Sequence, residues 1–551
     1  MITLLFSFIK KNLIEAILLS FSLAFSFWLM FSTFSHEDGS MIIATKAWSD
    51  FASHIPLIRS FSLGHNFPPE YPIFPGEPIR YHFLFYLFVG VLERIGIPLH
   101  YALNIPSALL FTSLVFMIYI FSSALFKNKA VGIVSVLLFL FNGSLSFVEF
   151  FRIHPFGLNM FTEIINNTSF PSFGPYDGKI VAVFWNLNTY TNQRHLAGAY
   201  AFSLALIYFH IKPLLKNTHI QLNRAIILGI LLGLSFFFHT AIILMTITIL
   251  GCLFFISKKL RLSTIIMIGI ALIIAFPQYL YLQSASSSFK IGIHPGYLIA
   301  NNLTIVNFIN YWFANLGLHF ITIPIAFFLI KWQHKKLFLC FLSLFFVGNL
   351  LQFTPDMPTN HKFFNYFIIF GCFLSSYVII KLWQKSVFIK PVALTLTFLL
   401  VFSGIIDFFP IYNDSKIVID DYRKNPDIAW VKNNTPPESV FLNSIYIFAP
   451  ESIAGRKILF GWPYFSWGAG YNTLPRDVDR KNMLATNDKA SFCTIAQKYG
   501  IRYASLKKNQ LKDDTGNIIN HTFFNNNFPL VYSNTASQIM IYSTNSCYNP
   551  Q

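Results

Sequence analysis

The stretch WSDFASHIPLIRSFSLGHNFPPEYPIFPGEPIRYH, residues 48–82, lies between two long apolar segments. It combines an acid, histidines, arginines, aromatic residues and a run of prolines, a mixture unlike the rest of the chain. Loops held by a rigid scaffold are where binding and catalytic residues are concentrated. This composition therefore predicts a functional loop, held at a bilayer surface by the hydrophobic remainder of the chain.

The composition is that of a membrane protein. Of 551 residues, 54% are hydrophobic and only 11% are charged, whereas soluble domains carry about 25% charged residues. Apolar runs of about twenty residues recur from Leu13 to Ile411, which is the length that a helix needs to cross a bilayer. The net charge of +17 is typical of basic cytoplasmic loops. The sequence shows no cationic face with interleaved stacking residues, and this argues against a nucleic-acid partner.

Loop charge predicts about eleven spans in a multi-pass inner (plasma) membrane protein, with a cytoplasmic N-terminus. All Lys-rich loops fall on one side only if residues 81–97, interrupted by Glu93 and Arg94, form a re-entrant or interfacial helix. If 81–97 were a full crossing, Lys127 and Lys129 would lie outside. The predicted spans are 13–34, 101–126, 130–151, 196–211, 225–239, 240–257, 262–283, 313–330, 337–354, 363–380 and 391–411.

The predicted fold is mostly α. A polytopic transmembrane helical bundle, residues 1–411 with outer loops 35–97 and 152–195, precedes a small extracytoplasmic α/β domain, residues 412–551. Cys493 and Cys547 would pair if this domain faces an oxidising compartment. Within it, turn signals and alternating patterns predict helices at 425–434 and 488–499 and strands at 439–443, 457–460, 501–506, 530–533 and 537–543.

Asp50 is the leading candidate for a catalytic base. A helix over residues 46–60 would place Asp50 and His54 one turn apart on one face. A carboxylate beside an imidazole can accept a proton from a substrate hydroxyl. The alternative is a plain ion pair between Asp50 and Lys46. Asp38, in a pair with Glu37, is the rival acid, although acids directly after a span commonly mark the membrane boundary.

Several cations share the predicted outer face and are candidates for holding an anionic group. The prolines of 67–81 exclude a helix and leave an extended lip that ends at Arg80 and His82. An arginine can grip a phosphate through two parallel hydrogen bonds. Each cation could instead anchor the chain at the membrane interface. The candidate phosphate ligands are Arg80, His82, Arg194, His195, His361 and Lys362.

A further set of residues is predicted to contact the sugar or the acceptor. His239 lies in an otherwise apolar turn, where an ionisable side chain is either functional or a packing histidine. Trp467 belongs to an aromatic segment that could stack on sugar rings or form a domain core. Glu70 and Asp177 complete this set. The chain has no Cys/His cluster with the sequence spacing of metal ligands, so the metal remains unknown.

One acid opposite several cations fits sugar transfer from a lipid phosphate. The ionised acid would deprotonate an acceptor hydroxyl, which attacks the anomeric carbon, while the cations neutralise the departing phosphate. A single displacement would invert the anomeric configuration. Two other classes stay open: a transporter or flippase for lipid-linked glycans, and a non-catalytic envelope assembly protein.

The chain resembles the GT-C superfamily of polytopic glycosyltransferases, which includes protein O-mannosyltransferases, oligosaccharyltransferases and aminoarabinose transferases. The resemblance rests on the layout of residues 1–411 and on the segments FPPEYPIFPGEPIRYHFLFYL, GLSFFFHTA, NHKFFNYF, NTPPESVFL and AGRKILFGWPYFSWGAGY. It implies a polyprenyl-phosphate sugar donor and a glycan, lipid or protein acceptor. It also implies Asp50 as the base, with Arg80, Arg194, His195 and Lys362 around the donor phosphate.

The chain departs from the family pattern directly after the first span. The family has an Asp-Glu or Asp-x-Asp pair there, whereas this chain has the reversed pair Glu37–Asp38. The choice between Asp50 and Asp38, and the need for a divalent cation, therefore stay open.

Overall fold

The computed structural model describes residues 12–172, 179–216, 218, 221–287 and 289–548, most of which lie in helices. The helices are α1 (Leu13–Thr33), α2 (Trp48–Ser62), α3 (Leu84–Arg94), α4 (Leu99–Phe126), α5 (Lys129–Leu140), α6 (Ser146–Ile153), α7 (Met160–Ile165), α8 (Asn188–Asn192), α9 (Leu196–Lys216), α10 (Leu222–Leu234), α11 (Thr240–Ile256), α12 (Arg261–Gln283), α13 (Ile305–Leu316), α14 (His319–Leu329), α15 (Trp332–Leu350), α16 (His361–Lys385), α17 (Lys390–Tyr412), α18 (Pro426–Asn434), α19 (Pro450–Ile453), α20 (Pro463–Gly468), α21 (Leu474–Ala485), α22 (Lys489–Tyr499) and α23 (His521–Asn527).

Twelve short strands in the described residues form four sheets. They are β1 (Phe34–Glu37), β2 (Ser40–Ala44), β3 (Glu70–Tyr71), β4 (Phe74–Pro78), β5 (Gly292–Ile293), β6 (Leu351–Gln352), β7 (Lys416–Asp420), β8 (Val440–Asn443), β9 (Lys457–Ile458), β10 (Ile501–Lys507), β11 (Leu530–Asn534) and β12 (Ile539–Ser543).

The bundle is that of an integral membrane protein. Within the described part of the chain, six helices are long and apolar enough to cross a bilayer, namely α1, α4, α9, α12, α16 and α17. The pair α13 and α14 would add a seventh span, but the two helices are bent by 91° at the break between them. Helices α5, α10 and α11 are apolar but shorter. The figure of eleven spans therefore remains a prediction.

Two predicted spans are wrong as continuous helices. The one at 130–151 ends early, at Leu140, because a turn through Gly143 follows. A Cβ at Gly143 would lie 2.4 Å from the Ser403 Cβ on α17, so only glycine allows this close approach. The span at 313–330 breaks at Gly317, whose φ of +55° ends α13. Residues 81–97 contain only the eleven-residue helix α3, about 16 Å long and too short to cross a bilayer of about 30 Å.

The first loop is joined to the C-terminal segment by backbone pairing. Strands β1 and β2 form a hairpin after α1, and β2 pairs antiparallel with β7, which follows α17. This three-stranded sheet brings the two ends of the bundle sequence together. The proline-rich segment 67–81 contains a second hairpin, in which β3 pairs with β4. The segment is therefore extended, as the sequence predicts.

A five-stranded sheet organises the C-terminal segment, in the order β11-β12-β10-β8-β9. Its predicted helices and strands are confirmed within a few residues, and Cys493 is disulfide-bonded to Cys547. One face of the sheet, with Phe441 and Ile541, shares a hydrophobic core with the first loop. The other face, with Leu442, packs against helices of its own segment. The segment therefore buries much of its apolar surface against the first loop.

A buried ion cluster around Arg59 fixes the orientation of α2. The Arg59 side chain is 1% exposed and pairs with Asp421 at 2.5 Å and with Glu93 at 3.2 Å. Asp421 follows β7 and Glu93 lies near the end of α3, so one guanidinium ties three segments together. Ser62 donates a further hydrogen bond to Glu93 at 2.6 Å. Buried charges are tolerated only when paired in this way.

We expect Arg59→Met to lower the free energy of unfolding by about 3–5 kcal/mol, because the change leaves two buried carboxylates without their cation. Chemical unfolding of the purified protein in detergent measures this loss. The matched control is Arg152→Met, which removes an exposed partner of Glu149 and should cost no more than about 1 kcal/mol. Equal losses in the two variants would contradict the role of the ion cluster.

Candidate active site

Helix α2 presents Asp50 in its first turn and His54 one turn later, as the sequence predicts. The alternative ion pair of Asp50 with Lys46 is not formed, since Lys46 pairs with Asp414 at 2.9 Å. Burial raises the pKa of the Asp50 carboxyl to about 6, and the charge of Lys362 opposes this rise. A carboxyl that titrates near neutral pH is well suited to accept a proton.

Lys362 lies in the first turn of α16, close enough to two carboxylates to be affected by their charge. Its ammonium group interacts electrostatically with Asp50 and with Asp356, which comes from the turn before α16. The Tyr464 hydroxyl donates a hydrogen bond of 2.8 Å to Asp356 Oδ2. The first loop, the start of α16 and the C-terminal segment therefore meet around one cation.

Three histidines from distant segments form a cluster beside this cation. His82 precedes α3, His195 precedes α9 and His239 precedes α11. The Nε2 atoms of His82 and His195 are 2.6 Å apart, and the rings of His82 and His239 stack at 4.4 Å. His195 and His239 are 0% and 1% exposed, whereas His82 is partly exposed. The Tyr86 hydroxyl is 2.8 Å from His195 Nδ1.

His54 belongs to the same group of rings. It is buried, stacks on Tyr86 at 4.6 Å, and its Nε2 lies 3.4 Å from the Tyr81 hydroxyl. Burial, followed by the charges of Lys362 and Arg194, lowers the pKa of His54 to about 3. The imidazole is therefore neutral at physiological pH, so it can orient neighbouring groups but does not carry a stored proton.

Two predicted phosphate ligands donate hydrogen bonds to the protein itself, although Arg80 Nε is buried without a partner among the described residues. Arg194 is 1% exposed and donates to the Thr191 carbonyl at 2.7 Å and to the Thr33 hydroxyl at 2.5 Å. Arg80 donates to the Ala285 carbonyl at 2.9 Å, near the C-terminal segment. These contacts join segments of the fold, and a phosphate role for either arginine stays a prediction.

Two other candidates also make local contacts. The His361 ring stacks on Phe184 at 4.6 Å, and its Nδ1 is 3.2 Å from the Asn365 amide. Asp38 is exposed and adopts a left-handed φ of +46° directly before Gly39. An Asp-Gly pair of this kind is typical of tight hairpin turns, which gives Asp38 a structural reason to be there.

The predicted acceptor contacts are dispersed. Glu70 pairs with Lys457 at 2.6 Å and so anchors the β3–β4 hairpin to the C-terminal segment. Trp467 is 38% exposed, and its ring lies 5.9 Å from that of Tyr464. His239 is part of the histidine cluster. Asp177 lies outside the described residues.

The sequence alone did not single out Asp356, Tyr81 or Tyr86. Asp356 opens the same segment as His361 and Lys362, so an acid five residues before an apolar helix was an available signal. The histidine cluster had no such signal. Its members are 113 and 44 residues apart in sequence, and only the folded bundle brings them together.

No protein-family model and no curated protein sequence matches this chain. Solved structures do match. The aminoarabinose transferase ArnT of Cupriavidus metallidurans superposes with a TM-score of 0.51 and 9% identity, over 98% of this chain and all of that one. The chain has the GT-C glycosyltransferase fold.

Two further GT-C structures are similar to this chain. The oligosaccharyltransferase AglB of Archaeoglobus fulgidus, solved with an inhibitory peptide and a dolichol-phosphate, has a TM-score of 0.50 and 11% identity, covering 90% of this chain and 69% of its own. The mycobacterial arabinofuranosyltransferase AftD has a TM-score of 0.50 and 10% identity, covering 95% of this chain and 39% of its own. At these identities the likeness establishes the fold.

We expect Lys362→Met to move the Asp50 titration above pH 6. The lysine charge stabilises the ionised carboxylate, so its removal leaves the effect of burial unopposed. Among the described residues, the hydroxyls of Tyr71, Tyr81 and Tyr86 also interact electrostatically with Asp50, and burial keeps them neutral by raising their pKa. Infrared spectra are recorded for each protein and for its Asp50→Asn counterpart from about pH 4 to about pH 9. The difference between the two spectra isolates the signal of the Asp50 carboxyl.

The matched control is Lys331→Met, in the loop between α14 and α15, which should leave the Asp50 titration unchanged. An Asp50 carboxyl that titrates near its ordinary value of about 3.9 in the unmodified protein would contradict the buried site.

Proposed function

We propose that this protein is a membrane glycosyltransferase that moves a sugar from a polyprenyl-phosphate donor to an acceptor hydroxyl. The observation that carries the proposal is the half-buried acid Asp50 within electrostatic reach of the Lys362 ammonium group, at one end of a GT-C bundle. A base and a cation within one site are the two groups that this reaction needs.

The reaction would be a single displacement. Asp50 takes the proton of the acceptor hydroxyl as its oxygen attacks the anomeric carbon. The bond from that carbon to the phosphate oxygen breaks, and the polyprenyl phosphate leaves with the bonding electron pair. Lys362 stabilises the negative charge that builds up on the phosphate. The sugar is transferred with inversion, and the proton stays on Asp50 until it is released to water.

The exposed aromatic residues of helix α20 are proposed to receive the acceptor. Tyr464 connects this helix to the site through Asp356, and Trp467 lies beside Tyr464. Partly exposed indole and phenol rings offer a flat apolar face and a polar edge, which suits a sugar or a peptide. The C-terminal segment would thereby bring the acceptor to the rim of the membrane site.

The site is proposed to lie on the extracytoplasmic side. The disulfide between Cys493 and Cys547 is of a kind that persists in oxidising compartments. The Lys-rich loop with Lys258 and Lys259 follows the far end of α11, about 25 Å from His239 at its start. Basic loops favour the cytoplasm, so the two ends of α11 fit opposite sides of the membrane.

A transporter or flippase fits the site less well. Such proteins carry their binding groups near the bilayer midplane, on broken helices related by internal repeats. Here Lys362, Asp50 and the histidines gather where loops meet helix starts. A group of this kind is better placed for chemistry at the surface than for passage through the bundle.

We expect Asp50→Asn to lower the transfer rate by about 10²–10⁴-fold, because the amide cannot accept the proton. The assay measures transfer of a radiolabelled pentose or hexose from a short-chain polyprenyl phosphate donor. It uses membranes that contain the acceptors of the native cell. The matched control is Asp38→Asn in the β1–β2 turn, which should keep the rate of the unmodified protein. A reversed order of the two variants would make Asp38 the base, and full activity in both would refute an acid-dependent transfer.

We expect a cysteine introduced as Thr535→Cys, in the exposed β11–β12 turn, to react with a membrane-impermeant maleimide in intact cells. Lys259→Cys, at the opposite end of the bundle, should react only after permeabilisation. Of the native cysteines, Cys340 and Cys372 are buried, which limits background labelling. Labelling of Lys259→Cys alone in intact cells would place the C-terminal segment in the cytoplasm.

A further inference from the structure

We propose that His82, His195 and His239 form a binding site for a divalent transition-metal ion of the Zn²⁺ class. Each imidazole offers one nitrogen, and these three atoms lie within 4.8 Å of one another. Imidazole is a preferred ligand of Zn²⁺ and of its first-row neighbours, whereas Mg²⁺ and Ca²⁺ require oxygen ligands. Neither the sequence spacing nor the proposed transfer reaction assigns such an ion.

His239 gives the independent reason to expect a ligand. It is 1% exposed, yet neither of its ring nitrogens has a hydrogen-bond partner among the described residues. A buried polar group left unpaired costs about 1–3 kcal/mol. The ring nevertheless stacks on His82 at 4.4 Å and lies 5.1 Å from the ring of His195, so it faces the other two histidines. A shared metal ion would give His239 the partner that it lacks.

The distances are compatible with a tetrahedral ion. Zn–N bonds of about 2.1 Å place the ligand nitrogens about 3.4 Å apart. The present separations range from 2.6 Å, between His82 and His195, to no more than 4.8 Å. Small ring rotations would make them equal. Three imidazoles leave one position of the tetrahedron for a fourth ligand.

Tyr86 has the position of a supporting residue for this site. Its hydroxyl is 2.8 Å from His195 Nδ1, so with Nε2 on the metal, Nδ1–H would donate to the tyrosine oxygen. Metal-bound histidines usually use their second nitrogen in this way, which fixes the ring and its tautomer. The same hydrogen bond therefore sets which nitrogen His195 turns toward His82 and His239.

The charges predict an anionic fourth ligand. Three neutral imidazoles leave the double charge of the ion uncompensated, and the Lys362 ammonium acts electrostatically on all three rings. A small anion bound between the ion and Lys362 would relieve their repulsion. Hydroxide is one such anion. A phosphate oxygen of the donor is another, and this second possibility rests on the proposed transfer reaction.

The experiment is metal reconstitution of the full chain, purified in detergent without a histidine tag. After treatment with a chelator, the protein is titrated with Co²⁺, whose visible absorption reports tetrahedral nitrogen ligation, and with Zn²⁺ followed by elemental analysis. We expect about one ion per chain, in line with one three-histidine site. We expect His239→Ala and His82→Ala to abolish this binding, and Tyr86→Phe to weaken it by about 10–100-fold.

The matched control is His210→Asn, which removes a buried histidine bonded to Thr264 elsewhere in the bundle and should bind as the unmodified protein does. If His239→Ala fails to fold, His239→Gln is used in its place, because glutamine keeps much of the bulk and hydrogen-bonding capacity of the histidine side chain. Absence of stoichiometric Co²⁺ and Zn²⁺ binding by the folded protein, or equal binding by the His239 variants, would overturn the proposal. The titration uses no sugar donor, so its failure would leave the transfer proposal unaffected.

Discussion

The ion cluster around Arg59 is the contact on which the geometry of the site depends. Helix α2 carries Asp50 and His54, and its far end is held to α3 through Glu93 and to the C-terminal segment through Asp421. The guanidinium holds both carboxylates, Asp421 through a hydrogen bond that fixes distance and angle and Glu93 through an ion pair. Hydrophobic contacts alone would allow α2 to slide or turn. The buried charges therefore exchange some stability for a defined helix orientation, a role attributed to such groups in other folds.

The second constraint is that the site is assembled from helix starts. His195, His239 and Lys362 each lie at or directly before the first turn of a long apolar helix, whose core packing fixes its axis. Polar side chains at these positions can approach each other without placing charge in the apolar interior. The bundle thus holds these polar groups at the ends of its helices, where they can meet without entering the apolar interior.

The sequence predicted local features well and long-range ones poorly. Asp50 and His54 share a helix face because their spacing of four residues matches the helical period, and the strands of the C-terminal sheet follow from alternation and turn residues. The pairing of β2 with β7 joins residues almost 380 positions apart, and no local pattern encodes it. The same holds for the three histidines. Arg194 was a reasonable phosphate candidate by position, but its burial against Thr33 depends on how α1 and α9 pack.

The hydrogen bond from Tyr464 to Asp356 connects two parts of the molecule thermodynamically. Asp356 shares the charge of Lys362 with Asp50, so a molecule that draws Tyr464 away alters the electrostatic field at Asp50. Such coupling is reciprocal. Any change at Lys362 that alters the charge on Asp356 also alters the strength of the Tyr464 hydrogen bond, so helix α20 and the start of α16 respond to each other through one phenol–carboxylate contact.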